Sequence, residues 1–134
     1  MTVGLSTVNT ANAWLNVLRG NGAGTTFTAP AVQAAKLHTG DPGASGSTAA
    51  AAGDTTRKAL TFNAASSGSM GLTSSPAAWT NGGTSETLTH ISVWDSTSAG
   101  NFMYSAALTA SQAWNTGNTF TLTSLTISLT PLAA

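Results

Sequence analysis

The segment 124–130 alternates between apolar and hydroxyl-bearing side chains. Leu125, Ile127 and Leu129 are separated from one another by single Thr or Ser residues. Successive side chains of a β-strand point to opposite faces of a sheet, so this period of two predicts a strand with one buried face. A strand that is apolar on one face and polar on the other is typical of an antiparallel sheet.

Further short segments rich in β-branched and aromatic residues predict more strands, separated by turns rich in Gly, Asn and Ser. They are residues 34–39, 58–62, 77–79, 87–94, 101–108 and 119–122. Strands at this spacing predict a mostly β chain, folded over residues 1–134 as a single domain. The expected architecture is an antiparallel β-sandwich or partial barrel.

One predicted strand, residues 87–94, is apolar on both faces. Ile91 and Val93 fall on one face by the period of two, and Leu88, His90 and Trp94 fall on the other. We therefore expect a central strand that is covered from two sides.

The N-terminal residues 1–20 predict one short α-helix. Ser6 or Thr7 is suited to cap its first turn, Arg19 complements the dipole in the last turn, and Gly20 suits the left-handed stop. Four apolar residues recur at helical spacing on one face: Val8, Ala11, Leu15 and Leu18. We expect this face to cover one side or end of the sheet.

Gly- and Ser-rich stretches predict the loops. The tetrapeptide Gly40-Asp41-Pro42-Gly43 is a strong turn signal, since Pro42 presets φ and Gly43 tolerates a positive φ. Residues 40–57 have low complexity and little apolar bulk, which predicts an extended loop or arm. Residues 21–30 and 95–100 are also predicted loops, and in the second Asp95 would cap its own turn.

Charge is scarce. Four Lys+Arg balance four Asp+Glu, so that 6% of the residues are charged, against about 25% in a typical domain. A chain without net charge has no long-range field to attract nucleic acid or an anionic membrane, and it lacks the self-repulsion that opposes association. We therefore expect protein partners, including copies of the chain itself. No apolar run approaches the length needed to span a bilayer.

Few residues could carry chemistry, and cysteine is absent. A triad of His90, Asp95 and a serine can be drawn, but no Gly-x-Ser-x-Gly motif presents a nucleophile. Glu86 and Asp95 lie at opposite ends of one predicted strand, about 30 Å apart at about 3.3 Å per residue, too far for a glycosidase pair. We expect no catalytic residues and no enzyme activity.

A metal site is the other chemical alternative. His38, Asp41 and His90 could form one, because His38 and Asp41 flank the start of a turn. The chain has no motif with metal-binding spacing, so no metal and no cofactor are expected.

Aromatic side chains leave carbohydrate binding open as a rival. Trp14 and Trp94 fall on apolar faces and are expected in the core. Trp114 lies near a predicted turn and, with Trp79, is the candidate for an exposed aromatic contact. Burial of Trp114 in the core or at a subunit interface is the favoured interpretation.

Two segments carry a resemblance to a known family. They are Leu-His-Thr-Gly-Asp-Pro-Gly at residues 37–43 and Thr-His-Ile-Ser-Val-Trp-Asp at residues 89–95. With an N-terminal Ala-Asn-Ala-Trp-Leu helix, an Arg57-containing strand start and a C-terminal Leu-Thr-Ile-Ser-Leu-Thr-Pro-Leu-Ala-Ala, they resemble small virion proteins of tailed phages, usually labelled tail fibre or minor structural protein. The chain departs from that pattern at Gly117-Asn118, where an acidic residue is often found.

The resemblance implies a structural role in the virion and transfers no catalytic residue. Its motif positions are structural: His38, Gly40, Asp41, Pro42, Gly43, His90, Trp94 and Asp95. It also implies a protein made in the cytoplasm of the bacterial host and carried on the exterior of the particle.

Two locations in the virion are compatible with the sequence. A compact chain without heptads for a stalk favours a capsid decoration protein that binds the major capsid protein or another virion protein, as a homotrimer. The alternative is a tail fibre or baseplate accessory protein that binds host-surface glycans.

Overall fold

The computed structural model describes residues 3–19 and 27–130. The chain is mostly β, with antiparallel sheets and a short N-terminal helix, as predicted. A π-helical turn, Thr7–Ala11, leads into α1, Asn12–Arg19; the strands are β1 Gln33–His38, β2 Lys58–Leu60, β3 Ser69–Gly71, β4 Trp79–Thr80, β5 Glu86–Trp94, β6 Phe102–Trp114, β7 Thr119–Phe120 and β8 Thr126–Ser128. The predicted stop at Gly20 and most of the predicted loop 21–30 lie outside the described residues.

The main sheet has four antiparallel strands in the order β2-β1-β5-β6. Its centre is β5, paired with β1 on one side and β6 on the other, as predicted for residues 87–94. Two pairs of short strands, β3 with β8 and β4 with β7, complete the fold. The alternating C-terminal segment forms β8, and its Leu125 and Ile127 pack against the core while Leu129 is exposed.

The face predicted for Leu88 is wrong. Leu88 belongs to the same buried apolar cluster as Ile91 and Val93. Leu88 pairs with Gln112 whereas His90 pairs with Ala107, so two steps along β5 correspond to five along β6. This bulge interrupts the period of two, and alternation cannot be extrapolated across such an irregularity.

The face predicted for the helix is also wrong. Ser6 caps the first turn as expected, with its Oγ accepting from the Asn9 backbone N–H at 3.3 Å. The side chains of Val8, Leu15 and Leu18, however, are 75%, 63% and 81% exposed. The wider π-helical turn changes the phase of the helix.

The contact between the helical segment and the sheet is partly polar. Thr10 is buried and donates through its Oγ1 to the Met103 carbonyl at 2.7 Å. Further along α1, the half-buried Trp14 packs edge-on against Phe27 at 5.8 Å between ring centroids. The helical segment therefore contacts the start of β6 through hydrogen bonds, and its aromatic contact is with Phe27, which precedes β1.

Residues 40–57 form a loop, as predicted, but not an extended arm. Ala51 is fully buried and donates its backbone N–H to the Leu37 carbonyl at 3.0 Å. The Glu86 carboxylate accepts from the backbone N–H groups of Ala52, at 3.2 Å, and Gly53, at 2.8 Å. Small side chains let this backbone approach the sheet closely, so hydrogen bonds hold the segment where apolar bulk is missing.

Candidate functional site

The two segments that carry the family resemblance lie side by side in the main sheet. In the β1–β5 register, Leu37 pairs with Ile91 and His38 pairs with His90. The motif positions are therefore brought into one region of the fold, although about fifty residues separate them in the chain. A cross-strand neighbourhood of this kind is where a shared site would form.

Ser92 is the centre of a buried hydrogen-bonded chain. The Oγ of Ser92 lies 2.7 Å from the Nε2 of His38 and 2.8 Å from the Nε1 of Trp94, which donates to it. The Nδ1 of His38 lies 2.8 Å from the Thr48 carbonyl, which can only accept. In neutral His38 the proton is therefore on Nδ1, and the Ser92 hydroxyl donates to Nε2.

This chain of hydrogen bonds braces the fold. His38 and Ser92 have no exposed surface, so no solute reaches the Ser92 hydroxyl while the loop 40–57 is in place. Burial lowers the pKa of His38, against the Thr48 hydrogen bond that raises it. The arrangement ties β1, β5 and the loop 40–57 together.

The predicted turn at residues 40–43 is confirmed. Gly43 has a φ of 73°, a conformation that favours glycine. Its backbone N–H donates to the Asp41 Oδ1 at 2.8 Å, and the Thr48 N–H donates to the Pro42 carbonyl at 2.9 Å. At Gly40 an added Cβ would lie 3.2 Å from the Ala49 Cβ. The turn thus starts the return of the loop toward the sheet.

The candidate metal ligands His38, Asp41 and His90 do not form a metal site. Both ring nitrogens of His38 are engaged within the fold, and the Nδ1 of His90 lies 2.8 Å from the Thr89 hydroxyl. Asp41 is engaged by the backbone N–H of Gly43. Within residues 3–19 and 27–130, no three His, Cys, Asp or Glu side chains come together in a way that would hold a metal ion.

The two carboxylates considered and set aside as catalytic candidates, Glu86 and Asp95, accept hydrogen bonds from loop backbone. Asp95 accepts from the Asn101 N–H at 2.7 Å and from the Asn101 side-chain amide at 2.9 Å. It therefore closes the hairpin loop between β5 and β6, as expected for a residue that starts a turn. Glu86, at the other end of β5, holds the loop 40–57, and neither carboxylate is hydrogen-bonded to His90.

The candidates for an exposed aromatic contact, Trp114 and Trp79, are not exposed, and Trp114 is buried, as the favoured interpretation of the sequence expects. Trp79 is 0% and Trp114 1% exposed. The Nε1 of Trp79 donates to the Thr56 carbonyl at 3.0 Å, and that of Trp114 to the Asn118 carbonyl at 2.9 Å. Strand β6 extends to Trp114 instead of ending near Leu108, so this residue enters the core and offers no stacking platform.

Arg57 is a structural residue whose role was not predicted. Its guanidinium carbon lies 3.7 Å from the centroid of the Trp94 ring. Its Nη1 donates to the carbonyls of Ser96, at 3.2 Å, and Ala99. Trp94 is half-buried, between Arg57 and the Phe102 ring at 5.8 Å. Charged residues are scarce in this chain, so each arginine is a candidate for a specific contact of this kind.

Among the described residues, the motif positions form braces and not an open reactive centre. The class is that of a β-structured subunit whose polar and charged side chains hold its own loops in place. The chain matches the family model described as "Podophage GP4 fiber I protein gp80" over residues 4–130. It belongs to that family, which confirms the resemblance, and it is a structural component of a phage virion.

A comparison with curated proteins found no match to the chain. In the part of the chain that the structure describes, no helix is both long enough and apolar enough to cross a membrane.

Proposed function

We propose that the chain is a structural subunit of the virion's fibre and acts by assembling with copies of itself, without catalysis. The observation that carries the proposal is an exposed apolar surface on the N-terminal helical segment. This helix face consists of Val8, Leu15 and Leu18, each more than half exposed. Val17 is also exposed, but it lies two positions from Leu15 and therefore on another side of α1. The family description, which names a fibre protein of a podophage, supports the fibre as the place of assembly.

The helix face is apolar enough to contribute to assembly. Burying one Val or Leu side chain stabilises by about 1.5–3 kcal/mol, so several such residues offset part of the entropy that association costs. Arg19 is the one charged residue between Val3 and Arg19. Arg19 is therefore the one like charge that each copy brings near this face, and threefold symmetry joins three such faces around one axis.

The assembly is tested with a double variant, Leu15→Glu with Leu18→Glu. Both side chains are exposed in one chain, so the variant should fold, while two buried carboxylates per copy should prevent association. Light scattering after size exclusion should report a trimer for the original protein and a monomer for the variant. Leu129→Glu, at a 55% exposed leucine directly after β8, is the matched control and should remain trimeric. A monomeric original protein would refute the proposal.

Capsid decoration is the second candidate. Its support is that α1, the α-helix in the part of the chain that the structure describes, has eight residues, so these residues provide no coiled-coil shaft. A small subunit of this form suits a repeated position on a shell. Host glycan binding through Trp79 or Trp114 has lost its support, because both rings are buried.

Purified virions distinguish the two places. Antibody labelling seen by electron microscopy should place the protein on the fibres, and quantitative mass spectrometry should give a low copy number. Hundreds of copies distributed over the head would instead establish the decoration role and overturn the fibre proposal.

A further inference from the structure

A groove of about 360 Å³ separates the N-terminal helical segment from the hairpin loop that joins β5 and β6. One wall carries three side-chain amides, those of Asn9, Asn12 and Asn16. Asn12 and Asn16 share one side of α1 by their spacing of four residues, and Asn9 of the π-helical turn lines the same groove. Asp95 and Asn101 belong to the opposite wall.

Several polar groups of the groove are held in place while parts of them stay available. The Asn9 side chain donates to the Phe102 carbonyl at 3.0 Å, which leaves its own carbonyl oxygen as an acceptor. Asp95 and Asn101 fix one another through two hydrogen bonds, so the carboxylate is preorganised. The side chains of Asn12 and Asn16 make no hydrogen bond with any described residue.

We propose that this groove binds a neutral saccharide. A side-chain amide offers an acceptor and two donors in one plane, and it therefore matches adjacent sugar hydroxyls, each of which both donates and accepts. Phe27 adds apolar surface for the C–H face of a sugar ring. The volume is near the lower end of the roughly 300–1,000 Å³ of small-molecule sites, which suits a short saccharide.

The charge of the groove selects against anionic ligands. Asp95 is the one charged side chain among its described lining residues, and no cation lines it. An anionic sugar would meet this carboxylate with no cation in the lining of the groove, although Arg57 interacts with Asp95 from outside it, whereas a hydroxyl can donate to the carboxylate. The described lining residues all belong to one chain, so the inference does not depend on a particular place in the virion.

Saturation-transfer NMR on the purified full chain tests the inference. The probes are the methyl glycosides of glucose, galactose, mannose and N-acetylglucosamine, with glucuronate as the anionic probe. We expect transfer to at least one neutral glycoside with a millimolar dissociation constant, and none to glucuronate. The absence of transfer to every neutral glycoside, or binding of glucuronate as tight as theirs, would overturn the inference.

The site is tested with the double variant Asn12→Ala and Asn16→Ala. Alanine is a better helix former than asparagine, so the variant should fold. We expect its affinity for the bound glycoside to fall at least tenfold. Asn115→Ala removes an exposed amide after β6 and should leave the affinity unchanged. Unchanged affinity in the double variant, or an equal loss in Asn115→Ala, would show that sugar does not bind in this groove.

Discussion

Ser92 is a small polar residue whose hydrogen bonds help to set the register of β1 against β5. It connects His38 of β1 with Trp94 of β5, and His38 continues to the Thr48 carbonyl. Buried polar groups are costly when they are left without partners. Slipping β1 against β5 by one residue would move the ring of His38 away from Ser92, so this chain of hydrogen bonds favours the observed register over its neighbours.

The buried imidazole predicts a pH-dependent stability. Burial lowers the pKa of His38 from its ordinary value of 6.5, so the unfolded chain binds a proton at a higher pH than the folded chain. The unfolding free energy should be fully present above about pH 6.5, decrease as the pH falls below that value, and level off below the folded pKa. Urea denaturation between pH 5 and 8 measures this dependence.

Two variants test whether His38 causes the pH dependence of the unfolding free energy. His38→Gln should remove the slope between pH 5 and 8, although it lowers the stability itself. His90→Gln, at a half-buried histidine bonded to Thr89, should keep the slope. A slope that survives in His38→Gln would refute this explanation.

Arg57 predicts a second effect at the scale of a residue. Its planar guanidinium both stacks on Trp94 and donates to two carbonyls of the hairpin loop, which an ammonium group cannot reproduce. We expect Arg57→Lys to lower the unfolding free energy by about 1–2 kcal/mol, measured by urea denaturation. The control is Lys58→Ala, which breaks a 3.4 Å pair with Asp54 and should cost about 1 kcal/mol or less. An equal loss of unfolding free energy in both variants would contradict the stabilising role of Arg57.

At the scale of elements, the loop 40–57 is the least expected part of the fold. Its Ala, Gly, Ser and Thr residues contribute little apolar area, yet Pro42, Gly43, Gly46 and Ala51 are buried. The absence of side-chain bulk is what allows the contact. At Gly46 an added Cβ would lie 2.2 Å from the Phe102 ring, and φ is 69°. Close approach of backbone to sheet thus replaces side-chain packing.

A matched pair of substitutions separates two reasons for glycine at position 46, its positive φ and its close approach to the Phe102 ring. Gly46→Ala combines a positive φ, at about 1–2 kcal/mol, with overpacking against Phe102, at about 1–3 kcal/mol. Gly117→Ala has a φ of 83° and nothing within 4 Å of the added Cβ, so only the first cost applies. We expect Gly46→Ala to be the more destabilising in thermal unfolding. Equal losses would mean that the loop moves aside freely.

At the scale of the whole molecule, the few charged residues lie in the first 95 positions, and many of them are used within the fold. No Asp, Glu, Lys or Arg follows Asp95 in the sequence. Before that point, Asp54 pairs with Lys58 and Arg57 holds the hairpin loop. Glu86 holds the loop 40–57, and Asp95 closes the turn at Asn101. Many of the few charges therefore brace loops, which leaves a surface with little charge to keep copies apart.

The nearly uncharged surface predicts an association that is insensitive to salt. Attraction between charges would weaken as the ionic strength increases, whereas apolar contact through the helix face would not. We expect the dissociation constant of the trimer, measured by sedimentation, to change by less than about threefold between 50 and 500 mM NaCl. Dissociation at high salt would indicate an electrostatic interface and contradict the role of the helix face.

Local patterns in the sequence determined most of the strands, the turns at residues 40–43 and 95–100, and the Ser6 cap, but they missed β3 and the C-terminal half of β6. These features depend on nearby residues, through the alternation of side chains, the preference of Gly43 for a positive φ, and short-range hydrogen bonds. The candidate triad and metal residues were identifiable only as residue types. Their hydrogen-bond partners, such as Thr48 and Asn101, depend on how distant segments pack.

Tertiary structure alone decided burial where a periodic pattern is interrupted. The bulge in the β5–β6 pair put Leu88 into the core cluster, and the π-helical turn left Leu15 and Leu18 exposed. The length of β6 buried Trp114. In each case a periodic pattern was interrupted by a feature that lowers the energy only when a second element is in place, so one segment read alone could not reveal it.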